Sequence, residues 1–226
     1  MASADTSGSA GAASERQLPK TARGARTRAR LVAAARQVFE RDGYLDSRIA
    51  DITKEADSAA GSFYSYFDSK DEIFRAVLDE VQEEMLHPHL DGMSSSNDPL
   101  AVIEASNRAY LVAYQRNAKL MRLLEQVATI DDDFRELRKR RSDTFMRRNA
   151  RVVRELQARG LADPSLNPLL AAGALSGMVS RMAYTNWVLG ENWELEELAD
   201  TLTRIWANAL RIPQGAPGSP PGGSRS

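Results

Sequence analysis

Along most of this chain apolar residues recur three and four positions apart, the period of a helix with one face turned inward. The first run holds Leu31, Val32, Ala35, Val38 and Phe39 and stops at Gly43, a residue suited to the left-handed cap that ends a helix. A short second helix carries Ile49, Ile52 and Ala56 on one side, with Ser47 placed to cap it. Asp57-Ser58 reads as a turn, since Asp adopts left-handed backbone more readily than most residues. A very short third helix through Phe67 follows, with Ser58 as its cap. Ser69-Lys70-Asp71-Glu72 then forms a capping box. It opens a fourth helix to about Leu86 that buries Ile73, Phe74, Val77, Leu78, Val81 and Met85.

The second half continues the period. After a Gly, Ser and Asn-rich loop from Asp91 to Asp98, Pro99 starts a fifth helix that reaches about Gln115. A sixth spans Ala118 to Val127. Asp131, Asp132 and Asp133 give an acidic start, which complements the helix dipole, to a long seventh helix closed by Gly160. Its apolar face is Phe134, Leu137, Phe145, Val152, Val153 and Leu156. Asn167-Pro168 is a cap with proline at the first helical position, opening an eighth helix to about Leu189. In it Gly173 and Gly177 allow a neighbouring helix to come close. Asn192 is placed to cap a ninth helix through Leu198, Leu202, Ile205, Trp206 and Leu210. The pattern predicts an all-α protein of about nine helices. The Ala, Ser and Gly-rich start and the Pro, Gly and Ser-rich end bury too little apolar surface to offset chain entropy.

Two short helices joined by a tight turn and braced by a longer one make a helix-turn-helix, which sets its second helix in the major groove of DNA. At 100° per residue Phe63 and Phe67 face inward, Gly61 and Ser65 face the opposite way, and Ser62 and Tyr64 lie on the flanks. An outward face of small and hydroxyl-bearing residues lets the backbone approach a phosphate or base edge. An ordinary packed helix with a polar exterior has the same pattern, so periodicity alone leaves both readings open.

The residues Phe39, Gly43, Tyr44, Ile52, Ala56, Gly61, Ser62, Phe63, Tyr64, Tyr66, Phe67, Ser69, Lys70 and Phe74 resemble the DNA-binding domain of the TetR family of one-component transcriptional repressors. The block GSFYSYFDSKDEIF is the most diagnostic part, and helix pattern and length extend the resemblance to nearly all of the chain. It implies a tail over 1–22, a three-helix helix-turn-helix domain over 23–74, a larger ligand-binding and dimerisation domain over 75–212, and a second tail over 213–226. It implies a double-stranded DNA operator met by Arg28, Ser47, Arg48, Ala60, Gly61, Ser62, Tyr64, Ser65, Tyr66 and Lys70, with Lys70 on a phosphate at the start of the fourth helix. It implies a homodimer through the last two helices, whose apolar surface exceeds what one inner face requires. Such a dimer would hold two reading helices about 34–36 Å apart on half-sites of a pseudo-palindrome until a small effector releases it. The chain departs from the family at Asp57, where Gly is usual, and at Ala59, where Ser or Thr usually caps the recognition helix. A cap at Ser58 would shift the start of that helix.

Charge sharpens the picture locally. The net charge is only −1, yet from Arg16 to Arg30 every ionisable side chain is basic: Arg16, Lys20, Arg23, Arg26, Arg28 and Arg30. Beside a reading helix this segment predicts an arm along the DNA backbone or in the minor groove; otherwise it is a solvated basic tail. The absence of cysteine excludes disulfides and thiol catalysis and fits a reducing cytoplasm. No apolar run approaches the roughly 20 residues a membrane span needs, so no membrane partner is expected.

Enzyme chemistry finds no foothold. There is no Gly-rich phosphate loop or nucleophile motif, and His87 and His89 are the only histidines. No metal site and no cofactor are expected, and the run Asp131–Asp133 reads as a helix start. Tyr110, Tyr114, Met121, Phe145, Met178, Met182 and Trp187, with Leu124 and Tyr184, could line an apolar pocket; each also reads as core. The effector expected from them is small and apolar, such as an acyl chain or a steroid-like molecule. The arginines and lysine of the seventh helix, from Arg135 to Arg154, read as a solvated face. The sharper alternative is a patch for the phosphates of an acyl-coenzyme A. The rival class is an all-helical carrier of lipids or small molecules with no DNA role, against which the basic segment and the GSFYSYF block argue.

Overall fold

The computed structural model describes residues 21–86 and 98–213. Among them the chain forms α-helices and no strand, as the apolar period requires. In order they are α1 (Ala22–Asp42), α2 (Ile49–Glu55), α3 (Ala60–Tyr64), α4 (Lys70–Leu86), α5 (Pro99–Arg116), α6 (Ala118–Val127), α7 (Asp132–Ala158), α8 (Pro168–Trp187) and α9 (Leu195–Leu210). Two compact units result: one runs to Arg41 and resumes over Asp46–Val77, and the other holds Asp42–Leu45 and the chain from Leu78 onward. His87, His89, Arg16 and Lys20 lie outside the described residues.

In the first unit Leu31, Val32, Ala35, Val38 and Phe39 of α1 meet Ile52, Phe63, Phe67, Ile73 and Phe74 in a core from which water is excluded. The Phe39 and Phe74 rings cross edge to face at 4.9 Å. Each such phenylalanine is worth roughly 3–5 kcal/mol against alanine. Helix α1 begins earlier than the apolar pattern indicates, because Thr21 Oγ1 accepts the Gly24 N–H at 3.1 Å and caps it. Alanine and arginine then favour helix through the segment without needing a buried face. Arg23, Arg26, Arg28 and Arg30 therefore stand on a helix and not on the extended arm that the basic run suggested.

Three expected caps move. Ser47 is buried and does not cap α2; Arg48 occupies the cap position and its backbone N–H donates to Asp51 Oδ2 at 3.2 Å. Helix α3 starts after Ala59 with no side-chain cap, so Ser58 does not take over that role. In the second unit α9 is preceded by Glu194, while Asn192 sits at φ 59 in the turn before it. The other end signals hold: Gly43 and Gly160 are left-handed, at φ 82 and 69. Asp98, Asp131 and Asn167 accept backbone N–H groups at the starts of α5, α7 and α8.

The second unit packs α7 along α8 and α9 along α5. At Gly173 a Cβ would stand 2.9 Å from Met146 Sδ, so the glycine is what lets α8 approach α7 there; at Gly177 a Cβ would meet nothing within 4 Å. Asn107 Nδ2 donates to Thr203 Oγ1 at 3.2 Å between α5 and α9, and Asn149 Nδ2 to Ser176 Oγ at 2.8 Å between α7 and α8. Leu170, Leu189, Trp193 and Ile205 stay exposed at the α8 and α9 side of this unit.

Candidate functional site

The first unit presents a short helix on a fixed turn. Asp57, at φ 45, takes the left-handed conformation expected of it, and Ser58 N–H closes on Thr53 O at 2.9 Å. Phe63 and Phe67 anchor α3 from the inside, 5.7 Å apart. That rotation leaves Ala60, Gly61, Tyr64 and Ser65 exposed, with Ser62 and Tyr66 half-buried. Tyr64 is 53 % exposed with its ring edge to face against Phe63 at 5.4 Å, so the ring is braced on one side and open on the other. Ser65 Oγ donates to Gly61 O at 3.2 Å and keeps its lone pairs for an outside donor.

The flanking cations have distinct surroundings. Arg28 is half-buried, its guanidinium 5.1 Å over the Phe67 ring, a cation–π contact that ties α1 to the end of α3. Arg48 is exposed beside the start of α2. Lys70 Nζ donates to Ser47 O at 3.0 Å, so this ammonium holds the entry to α2. Ser47, with its side chain buried, drops out as a base or phosphate contact. Arg23, Arg26 and Arg30 are exposed with no carboxylate partner among the described residues. Arg23 lies in the first turn, at the positive end of the α1 dipole, where a cation is unfavourable, while Arg26 and Arg30 follow in the second and third turns.

The second unit holds a partly open cavity of about 410 Å³ lined by α4, α5, α6, α7, α8 and α9. Tyr110, Tyr114, Met121 and Phe145 line it as expected, joined by Leu124 and Tyr184. The Tyr110 and Phe145 rings meet edge to face at 5.5 Å. Met178 and Met182 are not on the wall, because α8 turns the face bearing Gly173, Gly177, Ser180 and Tyr184 toward the space. Trp187 is also off the wall; it packs against Tyr114 with ring centroids 6.2 Å apart. Burial pushes both cavity phenols above their usual pKa, against the opposing Ser180 hydroxyl at Tyr110 and with reinforcement from Tyr110 at Tyr114.

The wall is less apolar than the sequence indicates. Arg138, Arg141, Arg148 and Arg181 border it together with the single carboxylate of Glu125. Arg138 Nε pairs with Glu125 at 2.6 Å and is half exposed. Arg141 is 6 % exposed and donates to Leu78 O of α4, so it leaves the solvated face to which the sequence assigned it. Burial lowers its pKa to about 10, with Asp79 acting in the opposite sense. Arg148 donates to Leu86 O at the end of the same helix, and its pKa is also lowered by burial. A signal for Arg141 was present: it lies seven residues after Phe134 and four before Phe145, on the apolar stripe. Among the described residues no group of His, Cys, Asp or Glu gathers to hold a metal, and no helix is long and apolar enough to cross a membrane.

Comparison with known proteins bears on the first site and on the fold as a whole. The profile of bacterial regulatory proteins of the tetR family matches residues 31–77, which covers the core of α1, the turn, α3 and the first part of α4. A probable HTH-type transcriptional regulator, ArpR of Pseudomonas putida, is 28 % identical over 126 residues; that match covers 53 % of this chain and 59 % of the relative's length. The HTH-type transcriptional regulator HbdR of Aromatoleum sp. (strain CIB) is 25 % identical over 185 residues, 76 % of each chain. Among solved structures, the fatty acid degradation regulator FadR of Bacillus halodurans superposes with a TM-score of 0.70 at 18 % identity, covering 83 % of this chain and 97 % of its own. A TetR-family regulator from Rhodococcus sp. gives 0.70 at 16 % identity, covering 81 % and 98 %. The matched core and the shared helical fold lead to one assignment: residues 31–77 are a regulatory-protein domain of the tetR family, in a chain with the fold of TetR-family regulators.

Proposed function

We propose that the protein is a transcriptional repressor that binds a pseudo-palindromic operator as a homodimer and leaves it when a small molecule occupies the cavity. The observation that carries this reading is α3: an exposed face of Gly61, Tyr64 and Ser65 fixed from behind by Phe63 and Phe67. Gly61, Tyr64, Ser65 and Ser62 meet base edges or adjacent phosphates in the major groove, and Arg48 and Lys70 neutralise phosphates. Arg23, Arg26 and Arg30 extend the phosphate contacts from the start of α1. Exposed Leu170 and Ile205 support pairing of α8 and α9 with a second copy, which supplies the second reading helix.

The effector enters the second unit and shifts the population toward a form with mis-spaced reading helices, by as much as it prefers that form. The FadR neighbour supports an acyl chain or acyl-coenzyme A as a candidate effector. The test is a mobility-shift titration with the DNA upstream of the protein's own coding sequence, comparing wild type with Tyr64→Ala. Wild type should shift a discrete fragment, and Tyr64→Ala should weaken that shift at least tenfold while melting at the same temperature. Equal binding by the variant would unseat α3 as the reading helix. Cavity ligand binding without any DNA shift would instead favour the carrier.

A further inference from the structure

We propose that the effector is an amphipathic anion, with an aromatic or alicyclic body among the rings of the cavity and an acidic group on Arg141. This deepens the reading of the cavity as the effector site and rests on it. The cavity border carries four guanidiniums against one carboxylate, and that carboxylate is already held by Arg138 at 2.6 Å. Arg141 is the deepest of the four. It has one hydrogen-bond acceptor, Leu78 O, and no carboxylate within ion-pairing distance among the described residues. A guanidinium carries five N–H donors, so a group on the cavity wall with one acceptor keeps donor capacity for a ligand. A buried cation without a counter-charge is costly, and arginine binds carboxylate or sulfonate through two parallel hydrogen bonds. Its lowered pKa shows that Asp79 does not make up for its desolvation. The remainder of the wall specifies the body: Tyr110, Tyr114 and Phe145 offer ring faces and edges, and Gly177 leaves open space beside them.

The position of Arg141 also states how the ligand is sensed. The same guanidinium that faces the cavity donates to a carbonyl of α4, and Arg148 does so one stretch further along that helix. An anion bound through the other N–H groups pulls on a guanidinium already tied to Leu78 O, so occupancy is reported to α4 at a hydrogen bond.

Two dyes of one ring system provide the test: 8-anilinonaphthalene-1-sulfonate, and N-phenyl-1-naphthylamine, which lacks the sulfonate. Fluorescence titrations of the full-length protein should show the anionic dye binding at least tenfold more tightly. Arg141→Met should remove that preference by weakening the anionic dye at least tenfold while leaving the neutral dye within twofold. Gly177→Phe, which fills the open space, should weaken both. Equal affinity of the two dyes for wild type overturns the proposal without recourse to any variant, as does retention of the preference by folded Arg141→Met. If Gly177→Phe weakens both dyes but wild type does not discriminate, the cavity survives as the effector site and the anion is wrong. If Gly177→Phe binds both like wild type, the dyes sit elsewhere and the cavity reading falls as well.

Discussion

Gly61 separates stability from recognition. It lies in ordinary helical backbone on an exposed face, and a Cβ added there meets nothing within 4 Å. Glycine inside a helix costs roughly 0.5–1 kcal/mol relative to alanine. At the second position of a five-residue helix the lower end applies, so Gly61→Ala should stabilise the protein by about 0.5 kcal/mol, or raise Tm by roughly 1–2 °C. Nothing in the fold asks for glycine there, so any requirement for it would come from a partner of this face. On the proposed reading the backbone at Gly61 closes on DNA, and a methyl group there should displace a phosphate or base contact worth about 1–3 kcal/mol, a roughly five- to 150-fold loss of operator affinity. Calorimetry gives the first quantity and fluorescence anisotropy of an operator duplex at fixed salt gives the second. A variant that melts higher and binds DNA like wild type refutes the claim that this face meets DNA. One that melts lower refutes the claim that the glycine is dispensable to folding.

Other outcomes follow from neighbouring features. Arg26→Ala with Arg30→Ala should flatten the slope of log K against log salt by about 2 if both contact phosphate; an unchanged slope returns them to solvent. Ile205→Glu puts a carboxylate into the exposed apolar face of α9 and should convert the dimer to monomer in light scattering, with the monomer's helix content intact. Tyr114 is buried with its phenol pKa raised, first by desolvation and then by Tyr110. A raised folded-state pKa means that its stabilisation is complete below the unfolded value of about 10 and is lost as pH climbs beyond it. Tyr114→Phe should therefore show a shallower fall in urea midpoint between pH 9 and 11 than wild type; parallel falls would place the alkaline transition elsewhere.

Much of the fold was legible because helix ends announce themselves locally. Asp98, Asp131, Asn167, Gly43 and Gly160 act through their own side chain or their own φ, and need no partner from far along the chain. The inward set of α3 followed from the four-residue spacing of Phe63 and Phe67 alone. The cavity was only half legible, since a void is a property of several helices at once. Which face α8 turns to it depends on where Gly173 seats Met146, and that contact cannot be read from α8 by itself. Met178 and Met182 were misassigned for this reason. Arg141 was misread because a charged residue on a stripe counts as polar in any periodicity, although its spacing from Phe134 and Phe145 put it inside. Helix α1 outran its apolar run because intrinsic propensity and the Thr21 cap suffice without burial.

Helix α4 has neither glycine nor proline across its 17 residues, so it behaves as a stiff rod about 25 Å long. A tilt of only ~5° at one end carries the other end by roughly 2 Å, far beyond the few tenths of an ångström within which a hydrogen bond keeps its geometry. On the proposed repressor reading, release from DNA would then require no melting of the helix. A small angular error, magnified by the length of an unbroken rod, is enough.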